Sequence, residues 1–349
     1  DPYRILAITF TNKAAKEMRE RVQNLVGVAA ERIWLSTFHS FCAKLLRFEI
    51  DGFLGYTKNF TIYDSSDQVT LMKSCLKELN LDDKQFPPRT VLGTVSSAKN
   101  ALLRADEFAK SADGFYTLKI SEAYTLYEKK LKDNNAVDFD DLLLLAVKLL
   151  QERQDIREKY QERFRYILVD EYQDTNKAQY LLTQILAAKW RNICVVGDAD
   201  QSIYAWRGAD IQNIMDFMRD YPDGTNVKLE QNYRSTKTVL QAANAVIDNN
   251  EARLKKALWT ENPQGHKIVH YHAQTEHDEA DYIAGVIYNR HSIENEPYGH
   301  MAILFRTNSQ SRVLEEKLMR YGIPYTMVGG TKFYDRKEIK DVIAYLRVL

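Results

Sequence analysis

The stretch YILVDEYQDTN, residues 166–176, indicates the fold class of this 349-residue chain. Its first four residues are aromatic or apolar, as in a buried strand of a parallel sheet. The strand ends at Asp170 and Glu171, and ligands of open α/β sheets bind at the carboxyl ends of strands. An aspartate there is the usual holder of Mg²⁺ in nucleotide hydrolases, and the glutamate could activate a water. An acidic pair that merely begins a solvated helix is an equally good interpretation of these two residues.

Strands and helices alternate on both sides of this stretch. Residues 3–10 and 33–35 have the pattern of short strands that lead into helices, and residues 193–197 repeat it. The alternation predicts an α/β fold with parallel sheets. Helical periodicity dominates residues 47–160 instead, which predicts a helical insertion. Further strands are predicted at residues 227–229, 268–272, 301–305 and 325–328, and further helices at residues 236–249, 276–290, 309–321 and 336–349.

Composition limits the class of protein without identifying it. Lys plus Arg and Asp plus Glu each number 48, so the formal net charge is zero. Zero net charge neither favours nor excludes a nucleic-acid partner, because a charged groove can lie on a neutral protein. No run approaches the ~18–20 apolar residues of a membrane span. The three cysteines and seven histidines show no zinc spacing. We therefore expect a cytoplasmic, multidomain protein with reduced thiols and no membrane contact.

A second polar stretch, VVGDADQSIYAWRGAD at residues 195–210, follows the next predicted strand. Gln201 stands where a polar group could sense a terminal phosphate. Tyr204, Trp206 and Arg207 follow within a few residues. Because the stretch around them is polar, these three side chains are difficult to place in a hydrophobic core. They fit a platform on which bases stack, which contributes about 1–3 kcal/mol per base. A helix packed through the two aromatic side chains is the alternative.

A third stretch, LEQNYRST at residues 229–236, lies between a predicted strand and a predicted helix. The guanidinium of Arg234 suits planar, bidentate recognition of phosphate. Tyr233 beside it could stack on a base such as adenine. An arginine at a domain contact explains this stretch equally well.

In this order the three stretches resemble motifs II, III and IV of superfamily 1 helicases of the UvrD/PcrA/Rep family, with PcrA-like members the most similar. AITFTNKAAKEMRERV at residues 7–22 resembles motif Ia, and STFHSFCAKLLR at residues 36–47 resembles motif Ib. Residues 303–330 resemble the start of the second motor domain. The resemblance extends along the whole chain.

The resemblance implies P-loop NTPase (RecA-like) parallel-sheet motor domains that clamp ATP and Mg²⁺ between them. It implies 3′-to-5′ translocation along single-stranded DNA, with unwinding at junctions of single and double strands. By the same resemblance Asp170 holds Mg²⁺ and Glu171 activates water. Gln201 would sense the γ-phosphate, Arg234 would act on it as an arginine finger, and Tyr233 would stack on adenine.

The resemblance also implies a DNA track through the motor. The residues implied to contact bases are Phe10, Tyr204 and Trp206, and those implied to line the track are Asn12, Thr37, His39, Arg207, Arg306 and Asn308. Plainer alternatives exist for several of them. His39 could be a helix-start histidine, Phe10 a core side chain, and Arg306 an exposed loop residue.

Four segments make up the predicted domain organisation. Residues 1–46 and 161–226 would form the first RecA-like motor domain, and residues 47–160 a helical insertion within it. Residues 227–349 would form the second motor domain. The resemblance further implies a bacterial, nucleoid-associated protein with partners in DNA repair or replication, and it leaves the pathway open.

The phosphate-binding loop of the family, G-x-x-x-x-G-K-[ST], does not occur in the sequence. Gly330-Thr331-Lys332 has the wrong order. In the family this loop precedes motif Ia, and motifs V and VI would follow residue 349. We therefore expect a fragment of a complete helicase that hydrolyses ATP poorly by itself. A degenerate homologue is the alternative.

Other functions stay open on the sequence alone. The same fold could serve as a non-catalytic module that binds single-stranded DNA or docks a protein. A helicase subunit of a helicase–nuclease complex would share these motifs. A GTPase-type switch is disfavoured, because it gives no reason for the aromatic residues beside the phosphate sensor.

We predict that Trp206→Ala, made in the whole protein that carries this chain, weakens binding of single-stranded DNA by about 1–3 kcal/mol. The dependence of log affinity on log salt should not change, because stacking releases few counterions. Fluorescence anisotropy titrations of a labelled oligonucleotide at several salt concentrations measure both quantities. A fall in slope of about 0.7, the value of one phosphate contact on a single strand, would contradict the stacking role.

Overall fold

The structure, a computed structural model, describes residues 1–205, 208–250 and 256–328. The chain divides into two units, residues 1–231 with 244–258 and residues 232–243 with 259–349. The strands among the described residues are β1 (Ile5–Thr9), β2 (Trp34–Thr37), β3 (Thr61–Ile62), β4 (Ala136–Val137), β5 (Tyr166–Val169) and β6 (Ile193–Val195). The helices are α1 (Asn12–Val26), α2 (Phe38–Glu49), α3 (Ser65–Glu78), α4 (Pro88–Asn100), α5 (Ala105–Ser111), α6 (Phe115–Asp133), α7 (Phe139–Glu152), α8 (Gln154–Arg163), α9 (Lys177–Ala187), α10 (Gln212–Asp220), α11 (Lys237–Ile247), α12 (Glu276–Glu294) and α13 (Ser311–Arg320).

The main sheet of the first unit has the strand order β2-β1-β5-β6, and all its pairings are parallel. Helix α1 joins β1 to β2, and helix α9 joins β5 to β6. The prediction of a parallel α/β sheet is confirmed. β1 begins at Ile5 and not at Tyr3, because Pro2–Arg4 form a short 3₁₀ turn that is capped by the Asp1 side chain.

The central strand β1 is buried on both faces. Leu6 and Ile8 point into the main core, while Ala7 packs with Ala15 of α1 and with Leu35. This burial explains why a short apolar run without alternation forms a strand here.

Strand β5 differs from the fully buried strand that the sequence predicts. Ile167 and Val169 are buried, but Tyr166 is 49% exposed and Leu168 is 44% exposed. Successive side chains of a strand point to opposite faces, so one face of β5 lies in the core and the other is open to solvent. The apolar sequence of the strand indicates a preference for burial. It does not determine whether neighbouring segments cover both faces of the strand.

A second core lies among helices α3 to α6, within the region of predicted helical periodicity. Met72, Tyr124 and Tyr127 belong to it and are fully buried. Helix α4 begins with Pro88, whose missing N–H and fixed φ suit the first turn of a helix. Strands β3 and β4 pair in parallel beside these helices. The helices of the predicted insertion are confirmed, and its boundaries as a domain stay a prediction.

A buried ion cluster joins α4 to the start of α7. The Nζ atom of Lys99 lies 2.7 Å from Asp138 and 2.7 Å from Asp141, and its side chain is completely buried. Each aspartate also accepts the backbone N–H of the other in a capping box at the start of α7. The Tyr127 hydroxyl donates to Asp138 at 3.1 Å. Burial by itself would lower the pKa of Lys99, but the two carboxylates outweigh it and raise that pKa well above its usual value.

The second unit has a small core of its own, formed by Ala284 of α12 with Leu318 and Ile323. The predicted helices that became α11, α12 and α13 are confirmed, and the predicted helix at residues 336–349 lies outside the described residues.

The four strands that the sequence predicts after residue 226 are wrong for the part of the chain that the structure describes, since none of them pairs with a neighbour there. Apolar residues in these segments, such as Val269 and Leu304, are 75% and 95% exposed. An apolar run becomes a strand only where a neighbouring strand supplies backbone partners.

Within residues 1–205, 208–250 and 256–328, no helix is both long and apolar enough to cross a lipid bilayer.

We predict that Lys99→Met destabilises the first unit by about 3–5 kcal/mol, because it leaves two buried aspartates without their cation. Thermal and denaturant unfolding of the chain measure this loss. Lys119→Met is the matched control, since the ion pair of Lys119 with Glu122 lies at the surface and contributes about 0–1 kcal/mol. Equal effects of the two substitutions would contradict a structural role of the buried cluster.

Candidate functional site

The carboxyl ends of three neighbouring strands meet at one edge of the main sheet. The N–H of Asp170, directly after β5, donates to the Ile8 carbonyl of β1 at 2.9 Å. On the other side the N–H of Val196, after β6, donates to the carbonyl of Val169 at 2.8 Å. The N–H of Tyr172 then donates to the carbonyl of Val196 at 2.9 Å. The polar residues that follow these strands are therefore neighbours in space, as expected for parallel strands.

A cavity of about 220 Å³ lies at this edge. Four of the residues that the sequence singles out line it: Phe10, Glu171, Gln201 and Tyr204. The sequence did not predict a ligand-binding role for the other residues of the wall, which are Thr9, Thr11, Ala14, Gln173, Asp174 and Ile203. Gln173 and Asp174 lie within the quoted stretch 166–176, so their polar character near a strand end was the available signal.

The acidic pair directly precedes a short 3₁₀ turn, Tyr172–Asp174, and the α-helix begins only after that turn. Asn176 caps α9 by accepting the N–H of Gln179 at 2.9 Å, and the helix itself begins at Lys177. Glu171 has φ 52° and ψ 44°, in the left-handed region. Such a backbone costs a residue other than glycine about 1–3 kcal/mol and is found preferentially at functional sites. The pair therefore does not start the α-helix, and Glu171 stands in a left-handed conformation at the start of the 3₁₀ turn.

Three carboxylates share this edge, and two of them, Asp170 and Asp174, have a raised pKa. Burial and the charge of Glu171 raise the pKa of Asp170. Burial and the charge of Glu171 also raise the pKa of Asp174 to about 6. The Oδ1 atom of Asp174 is buried and has no hydrogen-bond partner among the described residues. Such an edge attracts a cation, because a positive charge relieves the repulsion among the carboxylates.

The donor set fits Mg²⁺ better than it fits a metal held by protein alone. In the part of the chain that the structure describes, no group of three or more His, Cys, Asp or Glu side chains forms a metal cage. Mg²⁺ commonly takes one or two carboxylates and completes its shell with waters and phosphate oxygens. Asp170, which is half-buried at the strand end, is suited to that kind of binding.

The loop after β6 is organised by Asp198. Its Oδ1 accepts the N–H of Asp200 at 2.9 Å, and its Oδ2 accepts Nε2 of Gln201 at 2.8 Å. Lys256 forms an ion pair with Asp198 and lies 3.4 Å from Asp200. Burial alone would raise the pKa of Asp198, but the hydrogen bonds from Lys256, Gln201 and the Asp200 N–H, together with the charge of Lys256, outweigh burial and lower that pKa. Gln201 thus lines the cavity with its amide turned to its own loop.

Two aromatic rings lie side by side in the cavity wall. The rings of Phe10 and Tyr204 stack with their centroids 5.5 Å apart and their planes 25° from parallel. Phe10 is only partly buried, so the alternative of a core side chain does not hold. Trp206 and Arg207 lie outside the described residues.

Three other predicted DNA-track residues lie at the end of β2 or in the first turns of α1 and α2. Thr37 is buried and caps α2, accepting the N–H of Ser40 at 3.3 Å. His39 packs edge-on against Phe139 with ring centroids 6.2 Å apart, and burial lowers its pKa. Asn12 is exposed in the first turn of α1. Thr37 therefore has a structural task as a cap, whatever its role toward DNA.

The remaining predicted residues belong to the second unit. Tyr233 is 78% exposed, and Arg234 beside it is exposed as well. The backbone N–H of Arg234 donates to the side chain of Asn232 at 3.0 Å, which fixes the turn. Arg306 is exposed before a 3₁₀ turn that includes Asn308, whose side chain lies outside the described residues. The roles predicted for these four residues stay predictions.

A parallel sheet with an acidic pair at its carboxyl edge is typical of α/β proteins that bind nucleotides. Comparison with known families is more specific. Residues 1–222 match the UvrD/REP helicase N-terminal domain, and residues 227–349 match the UvrD-like helicase C-terminal domain. The chain belongs to the UvrD/REP helicase family. The resemblance seen in the sequence is thereby confirmed.

Curated relatives include three bacterial proteins named ATP-dependent DNA helicase PcrA. Those of Bacillus subtilis strain 168 and Staphylococcus aureus strain Mu50 are each 54% identical over 348 residues, which cover 100% of this chain and 47% of the relative. The protein of Staphylococcus epidermidis is also 54% identical, with 48% of its length covered. The chain spans about half the length of the curated relatives it matches.

The raised pKa of Asp174 predicts a pH-dependent stability. Its carboxyl has a pKa of about 6 in the folded protein and about 3.9 in an unfolded chain. The folded state therefore binds the proton more tightly, and this stabilising contribution is lost as the pH rises from about 4 through 6. Asp174→Asn should remove the loss, so that the variant gains in thermal midpoint relative to the wild type between pH 4 and pH 7. Asp113→Asn, at an exposed position, is the control and should keep the pH profile of the wild type.

Proposed function

We propose that this chain forms the larger part of the motor of an ATP-dependent, 3′-to-5′ translocase and helicase that acts on single-stranded DNA and its junctions with duplex. The observation that carries the proposal is the shared cavity wall. Glu171 and Gln201, whose polar groups are suited to ATP hydrolysis, line one wall of the cavity. The stacked rings of Phe10 and Tyr204, which are suited to stacking on a nucleobase, line the same cavity. The PcrA names of the relatives support this function.

At the nucleotide, the two residues of the acidic pair would have different roles. Asp170 would hold Mg²⁺, and the bound ion would neutralise charge on the phosphate oxygens of ATP. Glu171 would take a proton from the attacking water as general base. Gln173 donates to Oε2 of Glu171 at 2.8 Å, so Oε1 is the oxygen we assign to the proton. Gln201 would turn from Asp198 toward the γ-phosphate.

Two residues of the second unit would also act on the nucleotide in this proposal. Arg234 would bind the γ-phosphate as an arginine finger, and Tyr233 would stack on the adenine. Both side chains are exposed within their own unit, which supports contact with a ligand over a role in the core.

On the DNA side, bases would stack on the aromatic residues Phe10, Tyr204 and Trp206. Each stacked base would contribute about 1–3 kcal/mol and would favour no particular sequence. The track would be completed by Asn12, Thr37, His39, Arg207, Arg306 and Asn308. Tyr204 follows Gln201 by only three residues in the same loop. A movement of Gln201 toward the phosphate would therefore shift an aromatic surface that holds DNA, which links hydrolysis to translocation.

We further propose RecA-like motor domains of the P-loop NTPase class. The first would comprise residues 1–46 and 161–226, with the helical insertion at residues 47–160, and the second would comprise residues 227–349. A function on DNA implies a place in the bacterial cytoplasm at the nucleoid, among proteins of repair or replication.

The decisive measurement is ATP hydrolysis by the 349-residue chain and by the whole protein that carries it, each with and without single-stranded DNA. We expect the whole protein to respond strongly to DNA and the 349-residue chain to be nearly silent, because its sequence contains no G-x-x-x-x-G-K-[ST] loop. A whole protein that binds DNA and hydrolyses no ATP would favour a non-catalytic DNA-binding or docking module on the same fold.

We predict that Glu171→Gln in the whole protein lowers kcat for ATP about 10²–10⁴-fold, the usual contribution of a general base. Binding of ATP and DNA should persist, because the amide keeps the size of the carboxylate. Steady-state kinetics and equilibrium binding separate the two effects. Glu152→Gln, at the exposed end of α7, is the control and should hydrolyse ATP normally. Near-normal turnover by Glu171→Gln would disprove the assignment of the base.

A further inference from the structure

Gln173 connects the acidic pair to the loop after β6. Its side chain is almost completely buried, with 1% of the residue exposed. The Nε2 atom donates to Oε2 of Glu171 at 2.8 Å, and the Oε1 atom accepts the backbone N–H of Asp198 at 2.9 Å. One amide therefore satisfies a carboxylate on one strand end and a backbone donor on the next.

The loop is pressed closely against this amide. A Cβ atom at Gly197 would lie 2.7 Å from Oε1 of Gln173 and 2.9 Å from Cδ1 of Ile214, so only glycine fits there without a shift. The hydroxyl of Ser202 donates to the backbone carbonyl of Gln173 at 3.4 Å. Glycine at position 197 is thus explained by the close approach of the loop to Gln173.

The contacts continue to the predicted phosphate sensor. Asp198, whose N–H is held by Gln173, accepts Nε2 of Gln201 at 2.8 Å. Tyr204, three residues further, stacks on Phe10. A chain of direct contacts therefore runs from the carboxylate of Glu171 through Gln173 and Asp198 into the loop that carries the sensor and the aromatic surface.

We propose that Gln173 is a positioning residue that couples the orientation of the Glu171 carboxylate to the position of the loop at residues 197–204. The inference rests on the proposed function and deepens it. DNA that binds at Tyr204 moves or fixes this loop, and Gln173 transmits the change to the general base. Hydrolysis is then fast only when DNA occupies the track.

The chemistry of the position favours glutamine specifically. The carboxylate needs a donor and the Asp198 N–H needs an acceptor, and an amide offers both at once. Glutamate keeps the acceptor but turns the donor into a second negative charge beside Glu171. Methionine has a similar length and lacks both hydrogen-bonding groups. These two substitutions separate the effect of charge from the effect of lost hydrogen bonds.

The test is DNA-stimulated ATP hydrolysis by Gln173→Glu and Gln173→Met in the whole protein. We expect kcat with DNA to fall about 10²-fold in both, because a misplaced catalytic group costs about that much, while the KM for ATP stays within about twofold. The ratio of the rates with and without DNA should fall toward one. In Gln173→Glu alone, the acidic limb of the pH–rate profile should move to higher pH, because a second carboxylate raises the pKa of the base.

Matched variants keep the proposal open to disproof. Gln154 also donates to a glutamate, Glu158, at 2.7 Å, but at the exposed surface of α8, so Gln154→Glu should leave rate, ratio and pH profile unchanged. Gly197→Ala disturbs the same contact from the side of the loop and should reproduce the loss of DNA stimulation. Thermal unfolding shows whether each variant is folded.

The outcomes separate this inference from the proposed function. A wild-type protein whose ATP hydrolysis ignores DNA would refute the proposed function itself. If the wild type responds to DNA and folded Gln173→Met keeps the full stimulation ratio, the coupling role is wrong and the proposed function stands. If Gly197→Ala also keeps the ratio, the loop contact has no part in the coupling.

Discussion

The parallel pairing of β1 with β5 is the interaction on which the site depends. These strands are far apart in sequence, yet their register sets Ile8 beside Val169 and thereby brings Phe10 to the same edge as Glu171. Parallel neighbours cannot be joined by a tight turn, so the chain must make a long crossover between them. All the helices from α1 to α8 lie in that crossover. The helical region is therefore built into the connection that creates the site.

The helical region is also tied directly to the stretch that follows the acidic pair. The Oδ1 atom of Asn100, at the end of α4, accepts Nδ2 of Asn176 at 2.6 Å, and its own Nδ2 donates to Asp140 at 3.2 Å. Lys99 beside it is fixed in the buried ion cluster with α7. One end of α4 thus holds both the start of α7 and the cap of α9. A displacement of α4 would therefore act on Asn176, in the segment that follows the acidic pair.

The sequence was sufficient for the features that local chemistry determines. Short apolar runs with following caps predicted β1, β2, β5 and β6, and the acidic residues after β5 predicted the edge where the cavity lies. The sequence did not predict the features that depend on neighbours in the tertiary structure. Apolar residues in β5 and after residue 226 reported a preference for burial, but not which face or which partner strand would provide it. The sequence did not predict a role for Gln173, because that role depends on a contact with the backbone N–H of Asp198. The two residues are distant in sequence and become neighbours only in the fold.

The backbone conformation of Glu171 shows why the contact of Gln173 with the loop after β6 affects the orientation of the Glu171 carboxylate. A left-handed residue is held there by its surroundings and not by its own preference. The restraints are the Asp174 N–H on the Glu171 carbonyl at 3.0 Å and the side chain of Gln173 on its carboxylate at 2.8 Å. Because Gln173 is itself held by the loop after β6, the orientation of the carboxylate depends on that loop. Under the proposed function, a general base whose geometry is set by a neighbouring loop can be switched by whatever binds the loop, whereas a base on a relaxed helix could not.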